Sequence, residues 1–431
     1  GTREGSLRGL AHVKAMLGFF ACLELPGLAL ALSQDLSLVD KALWNRTNHL
    51  WQEGMRTIDG QQPMEAAHPF WRSLEVQCDL RHHGEALPPI HIVTGWWDIF
   101  KDQAIEDYAE AAKARGVRGE VRLTIYCGGH FGVAGKAAEI TPQTLHWYDR
   151  HIRGMEVPIP EKPVRVEVYG GEKGGEFLLL DSWPLAAETS DVLELFLQGG
   201  AGQSRLGSLT AAPSRPGGSS QYVYDPRDPT PYSGGGWLNM RKDGPKAQTS
   251  VEARSDVLVF TSHALGAAME VVGSVGVTLF VKSSALECDF VARLCVVRAA
   301  SPSRLWSIGC AGRLRSGDEL CSQRSFNLCE GYARVRFDDA QTEAVGPAGF
   351  RELNIDLGAI CCRFHPGDRI RLHVCSAAHP KALRHPLSPS GDAFSQELGP
   401  PAVQEVFADP QRASSVRLPR RGPKLQTWAG A

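Results

Sequence analysis

The chain has 431 residues, 46 of them Lys or Arg and 48 Asp or Glu, with 14 His, 45 Gly and 27 Pro. That length holds roughly two to three domains and at least one large core. A formal net charge of −2, with basic residues scattered along the chain, leaves no electrostatic footprint for a phosphate backbone and argues against a nucleic-acid partner. At 43% hydrophobic and 22% charged residues, global disorder, collagen and coiled coil are excluded as well.

Near the start, AMLGFFACLELPGLALALS (Ala15–Ser33) is the one membrane-like stretch, but Glu24 and Pro26 interrupt it. It reads as a packed core or cap helix, and no other window is long enough to cross a bilayer. Leu36, Val39, Leu43, Trp44, Leu50 and Trp51 then recur at helical spacing. After a polar loop that contains His82 and His83, read as solvated, Pro88-Pro89 opens IHIVTGWWD, a buried strand that hands its last residues to a loop. Lys101 to Arg115 follows as a helix with Ile105, Tyr108 and Ala112 on one face. Val121–Tyr126 is a second strand, CGGHFG a loop, and Pro142–Ile152 a closing helix. Strand, helix, strand, helix with short connections is the pattern of a parallel α/β sheet, whose ligands sit at the carboxyl ends of the strands.

Pro158, Pro160 and Pro163 mark a stiff boundary. Beyond it come about nine short alternating runs: VRVEVYG, LELFLQ, YVYDP, DVLVFTS, VGVTLFVKSS, FVARLCVV, YARVRF, FRELNIDL and IRLHVCS. Little helical period and frequent turn signals predict an all-β sandwich or jelly roll, with Gly199–Ser220 as a long surface loop. Asp225 and Asp228 read as turn caps that bridge domains, and Gly234-Gly235-Gly236 follows no strand-to-helix turn and is no phosphate loop. Of eleven cysteines, eight lie between Cys288 and Cys375 and none forms a C-x-x-C pair. They read as buried thiols in a reducing compartment, which points to the cytoplasm, and no metal site is expected.

Asp98 and His130 fall at the tips of successive strands, in the order acid then His that a hydrolase triad of this sheet type imposes. The acid would orient the imidazole and stabilise the imidazolium formed when it takes a nucleophile's proton. Taken alone, a loop-capping carboxylate and a structural His remain open. No G-x-S-x-G is present. The nearest candidate nucleophile is Ser6 in GSLRG, where Glu4 replaces the expected Gly and no strand leads in.

TGWWDIF (Thr94–Phe100) resembles the acid-bearing motif of the CocE/NonD hydrolases, relatives of the Xaa-Pro dipeptidyl-peptidases of the S15 group. YCGGHFG resembles the loop that carries the triad His, although the family usually has a Pro-Trp pair where Gly128 and Gly129 stand. WYDRHIRG (Trp147–Gly154), YVYDPRDPTP (Tyr222–Pro231), EARSDVLVFTS (Glu252–Ser262), CDFVARLCVV (Cys288–Val297), FHPGDRIRLHVCSAAHP (Phe364–Pro380) and QEVF (Gln404–Phe407) continue the resemblance in order. It implies an α/β-hydrolase portion with a parallel sheet and cap helices over residues 1–157. A jelly-roll, galactose-binding-like sandwich then fills 158–431.

The implied activity is serine hydrolysis of a small ester or peptide-like amide, with Asp98 as acid, His130 as base and Phe100 as an apolar wall of the acyl pocket, while Trp97, like Trp96, reads either as lining that substrate pocket or as core. No cofactor or membrane is called for, and self-association through the β domain is implied. The elbow serine is expected upstream of Gly1, so that the chain by itself lacks its nucleophile. The competing reading is a non-catalytic relative that keeps the acid and His as relics while its sandwich binds a partner or carbohydrate.

Overall fold

The computed structural model describes residues 86–115, 120–158, 160–171, 175–185, 190–199, 204–213, 218–237, 242–299, 324–337, 349–382, 384–388 and 397–422. Ser6, Ala15–Ser33, the Leu36–Glu53 helix, His82 and His83 lie outside these residues.

Strand β1 (Ile90–Trp97) is followed by helix α1 (Lys101–Arg115), which carries Asp102 in its first turn and Lys113 and Arg115 in its last, complementing the helix dipole. The helix buries Ile105, Tyr108 and Ala111 against Leu123 and Ile125 of β2 (Val121–Gly129). Helices α2 (His130–Ala134) and α3 (Ala137–His151) return the chain to β3 (Val164–Glu167), and β4 (Phe177–Leu180) closes the edge. Strands β1, β2 and β3 are parallel and β4 is antiparallel to β3, in spatial order β1-β2-β3-β4. Residues on alternate sides of β2 separate the helices: Leu123 and Ile125 meet α1, while the Tyr126 hydroxyl accepts from Gln143 of α3 at 3.1 Å.

Three local expectations shift. The predicted loop after Tyr126 is still strand through Gly129, because the Cys127 amide donates to Glu167 Oε2 at 2.8 Å and Gly129 pairs with Trp97. The closing helix starts at Ala137 instead of Pro142, since the Lys136 carbonyl already accepts from Glu139 and Ile140. VRVEVYG, read with the sandwich strands, extends the first sheet. The crossover through α2 and α3 supplies the length a parallel connection needs.

The remaining strands are β5 (Ser190–Gln198), β6 (Leu206–Thr210), β7 (Ser219–Tyr224), β8 (Leu258–Ser262), β9 (Met269–Ser283), β10 (Glu287–Arg298), β11 (Arg324–Arg336), β12 (Arg351–Phe364), β13 (Arg369–Cys375), β14 (Ala402–Asp409), β15 (Arg412–Ala413) and β16 (Ser415–Arg421). They form one hydrogen-bonded system in the order β11-β10-β13-β8-β6-β5-β16-β9-β14-β15, with β12 on β9 and β7 on β14. Both ends of that path contribute to one apolar cluster, so the system folds over on itself as a sandwich: Phe290, Leu294 and Leu372 share it with Val277, Leu279 and Val416. Strand β6 lies inside the stretch read as surface loop. Its Gly207 carries no side chain, and a Cβ there would stand 2.5 Å from the Phe260 ring, so the feature that reads as a turn signal is what lets β6 pack beside β8.

Strand β10 is buried on both faces. Alternate residues enter the sandwich core, while Val291 and its neighbours face Tyr232, Val251 and Val257. The described cysteines are free thiols, buried except Cys127. Burial pushes Cys288 up to about 12 and Cys375 up to about 11, which suppresses the reactive thiolate.

Candidate active site

The parallel register brings the two tips together. Trp97 stands opposite Gly129, so the next residue of each strand, Asp98 and His130, emerges on the same edge. The Asp98 amide turns back to the Gly95 carbonyl at 3.0 Å, and the Asp98 carbonyl starts α1 by accepting from Lys101. His130 opens the short helix α2.

Imidazole Nδ1 lies 3.1 Å from Asp98 Oδ1 and 3.2 Å from Oδ2. An ionised carboxylate can only accept, so Nδ1 carries the proton and Nε2 is left as the basic nitrogen. Oδ1 also accepts from the Phe100 amide at 3.0 Å, which fixes the carboxylate's rotation. Asp98 is nearly enclosed at 10% side-chain exposure, and His130 keeps 34%. The acid is therefore shielded while the base faces solvent. Phe100 and Phe131 flank the imidazole edge-on, at ring-centre distances of 5.4 and 5.2 Å. Phe100 is exposed beside the imidazole. Phe131 was not singled out from sequence, because nothing distinguishes an aromatic after a His until its ring direction is known.

Trp97 sits elsewhere than on the imidazole. It is buried, packs edge-on against Tyr169 at 5.2 Å, and its indole N–H donates to the Leu328 carbonyl of β11 at 3.3 Å. Lys101 Nζ reaches the Ala359 carbonyl of β12 at 2.8 Å, and Val272, Ala359 and Cys361 share the apolar cluster of Trp96 and Trp97. The acid-bearing turn thus rests directly on the sandwich. Gly236 also lies here, where a Cβ would stand 3.4 Å from the Trp97 carbonyl oxygen and 3.6 Å from that of Asp98. Asp225 caps its own turn by accepting from the Arg227 amide at 2.9 Å, and Asp228 meets Arg254 at 3.1 Å.

A small cavity of about 60 Å³ between the sheet and α3 is lined by His91, Arg122, Trp147 and Arg165, away from the acid–His pair. Burial, with Arg122 and Arg165 alongside, pushes the His91 imidazole down to about 4, which keeps it neutral. Among the described residues, no three His, Cys, Asp or Glu side chains are grouped to hold a metal, and no helix is long and apolar enough to cross a membrane.

Residues 158–417 match the model of the X-Pro dipeptidyl-peptidase C-terminal non-catalytic domain, more than half of the chain. The chain belongs to the CocE/NonD family. Within that family, a cocaine esterase from Rhodococcus sp. (strain MB1 Bresler) is 28% identical over 369 residues, which span 81% of this chain and 58% of the esterase. An aminopeptidase from a marine sediment Thaumarchaeota archaeon has the same fold at TM-score 0.63 and 19% identity, covering 91% of this chain and 62% of its own. An α-amino acid ester hydrolase matches at TM-score 0.66 and 20% identity, over 86% and 60% of the two chains. A CocE/NonD family hydrolase from Staphylococcus aureus matches at TM-score 0.55 and 13% identity, over 86% and 62%. This CocE/NonD chain therefore spans about three fifths of the length of the relatives it matches.

Proposed function

We propose that the gene product is a serine hydrolase of small esters or peptide-like amides, working through an acyl-enzyme with Asp98 as acid and His130 as base. One observation carries this reading: the enclosed carboxylate holds Nδ1 with both oxygens, which leaves Nε2 as the free ring nitrogen of a side chain that keeps 34% of its surface exposed. In this scheme Nε2 takes the proton of a serine hydroxyl as its oxygen attacks the substrate carbonyl. The same proton then goes to the leaving group as the tetrahedral species collapses, and water repeats the cycle to free the acid. Asp98 stabilises the imidazolium in both halves, and an elbow backbone N–H would receive the oxyanion. Phe100 and Phe131 shield the imidazole edges and present an apolar wall to the acyl group.

The relatives' ester hydrolase names support the ester arm, and the aminopeptidase supports the amide arm. The reading assigns residues 1–157 to the α/β-hydrolase portion with its cap, and 158–431 to the jelly-roll domain, with Val164–Leu180 lending two strands back to the first sheet. Fluorophosphonate labelling of the full-length gene product tests it, and peptide mass spectrometry of the adduct names the serine, Ser6 included. Labelling is expected in the wild type and lost in His130→Ala. An unlabelled protein, or labelling indifferent to His130, would return the chain to a binding role for the sandwich.

A further inference from the structure

Gly129, the residue before His130, faces a side chain from the sandwich. A Cβ added there would stand 2.7 Å from Cγ and 2.9 Å from Cβ of Asp243, with Oδ2 nearer still. The half-buried Asp243 side chain thus occupies the volume that any side chain at position 129 would need. Gly129 has no left-handed backbone angle, so a side chain there is opposed by this contact and not by conformation.

The described residues on either side of Asp243 are tied by backbone and side-chain hydrogen bonds. Gly235 and Gly244 exchange both backbone hydrogen bonds, at 2.7 and 2.9 Å. Gly234, Gly235 and Gly244 hold φ near +81°, +71° and +75°, open cheaply only to glycine. Below them, Asn327 Oδ1 accepts from the Lys246 amide at 2.8 Å and from Gln248 Nε2 at 3.2 Å. Gln248 in turn accepts from Arg293, which pairs with Glu330 at 3.1 Å, and Lys381 joins Glu330 to the Tyr232 hydroxyl under Gly235. Gly236, next to Gly235, lies near the Trp97 and Asp98 carbonyls. Gly236 thus lies beside the Asp98 carbonyl and Asp243 beside Gly129, one at each strand tip.

We propose that Asp243 is a positioning residue for the acid–His pair, which seats the His130 turn through Gly129. It acts through backbone contact and touches no reacting atom in this scheme. The kinetic arm of its test rests on the hydrolase reading, whereas the exchange arm does not.

The test uses Gly129→Ala, Asp243→Gly and the double variant in the full-length gene product, with p-nitrophenyl butyrate hydrolysis and amide hydrogen exchange of residues 126–135. Gly129→Ala is expected to lower kcat at least tenfold, with KM within threefold, and to speed exchange in that segment. Adding Asp243→Gly removes the three nearest atoms the new methyl meets, so the double variant should recover kcat to within threefold of Asp243→Gly alone and restore protection. A fully active, fully protected Gly129→Ala overturns the proposal, as does a double variant no better than Gly129→Ala. If the wild type hydrolyses nothing, the hydrolase reading fails, and the exchange pattern still decides this one.

Discussion

Replacing Asp98 by Asn keeps the shape of the side chain and its acceptance of the Phe100 amide while removing the charge that faces His130. At 3.1 Å and an effective permittivity of about 20, the carboxylate stabilises a full imidazolium charge by roughly 5 kcal/mol. His130 keeps a third of its side chain in solvent, so screening brings this to about 3 kcal/mol, or roughly two powers of ten in rate. A second loss adds to it. The Asn amide can donate to Nδ1, which moves the imidazole proton to Nε2, the atom that must accept from the nucleophile. The expected fall in kcat for Asp98→Asn is therefore about 10³- to 10⁴-fold with little change in KM, read from initial rates of p-nitrophenyl ester hydrolysis by the full-length gene product. A loss below tenfold, or one confined to KM, would refute the assignment of Asp98 as the orienting acid.

Three further outcomes test the scaffold. Trp97→Phe keeps the packing but strands the buried Leu328 carbonyl, which should cost about 1–3 kcal/mol in urea unfolding; an unchanged midpoint would remove Trp97 from the link between the two sheets. Glu330→Gln leaves the Arg293 charge buried without its carboxylate and should cost about 3–5 kcal/mol, and a variant of wild-type stability would show that water reaches that cluster. The third concerns pH. Burial would raise the Glu252 carboxyl, but His373 and Arg371 outweigh it and hold the group at about 2, below its ordinary 4.5. The unfolded chain therefore binds that proton first on acidification. The stabilisation, about 3 kcal/mol, is whole above pH 4.5 and lost as pH falls toward 2. His373, lowered from its ordinary value by burial, acts in the same direction below 6.5. Thermal melts of the wild type and Glu252→Gln should converge from pH 7 to pH 3, and parallel curves would contradict the linkage.

The acid–His pair was legible because its signals are local. Each residue ends an apolar run, and in a parallel sheet neighbouring strand ends must emerge on one edge. Helix α1 was legible for a similar reason, as Ile105 and Tyr108 recur at helical period. Strand β6 was not, since LGSLT carries Gly and Ser that serve equally as turn residues, and the Gln198 carbonyl and Phe260 ring that explain Gly207 lie on other strands. Val164–Glu167 alternates like any sandwich strand, and its partner β2 is a choice that alternation does not encode. The contact of Gly129 with Asp243 had no signal at all in one sequence, because it joins the end of a strand to a distant residue through the absence of a side chain.

Strand β12 has a consequence for inheritance. Its consecutive cysteines point to opposite sides, Cys362 into the sandwich core and Cys361 into the cluster around Trp96 and Trp97. One strand thus serves two hydrophobic interiors, and a change of residue size along it is felt in both. A recombination event that exchanged the sandwich for an unrelated module would leave Val272, Ala359 and Cys361 without counterparts behind the acid-bearing turn. The two halves can then diverge only in step, so that the region matched as a non-catalytic domain is held to its ancestry by the very strand ends where the chemistry is proposed to occur.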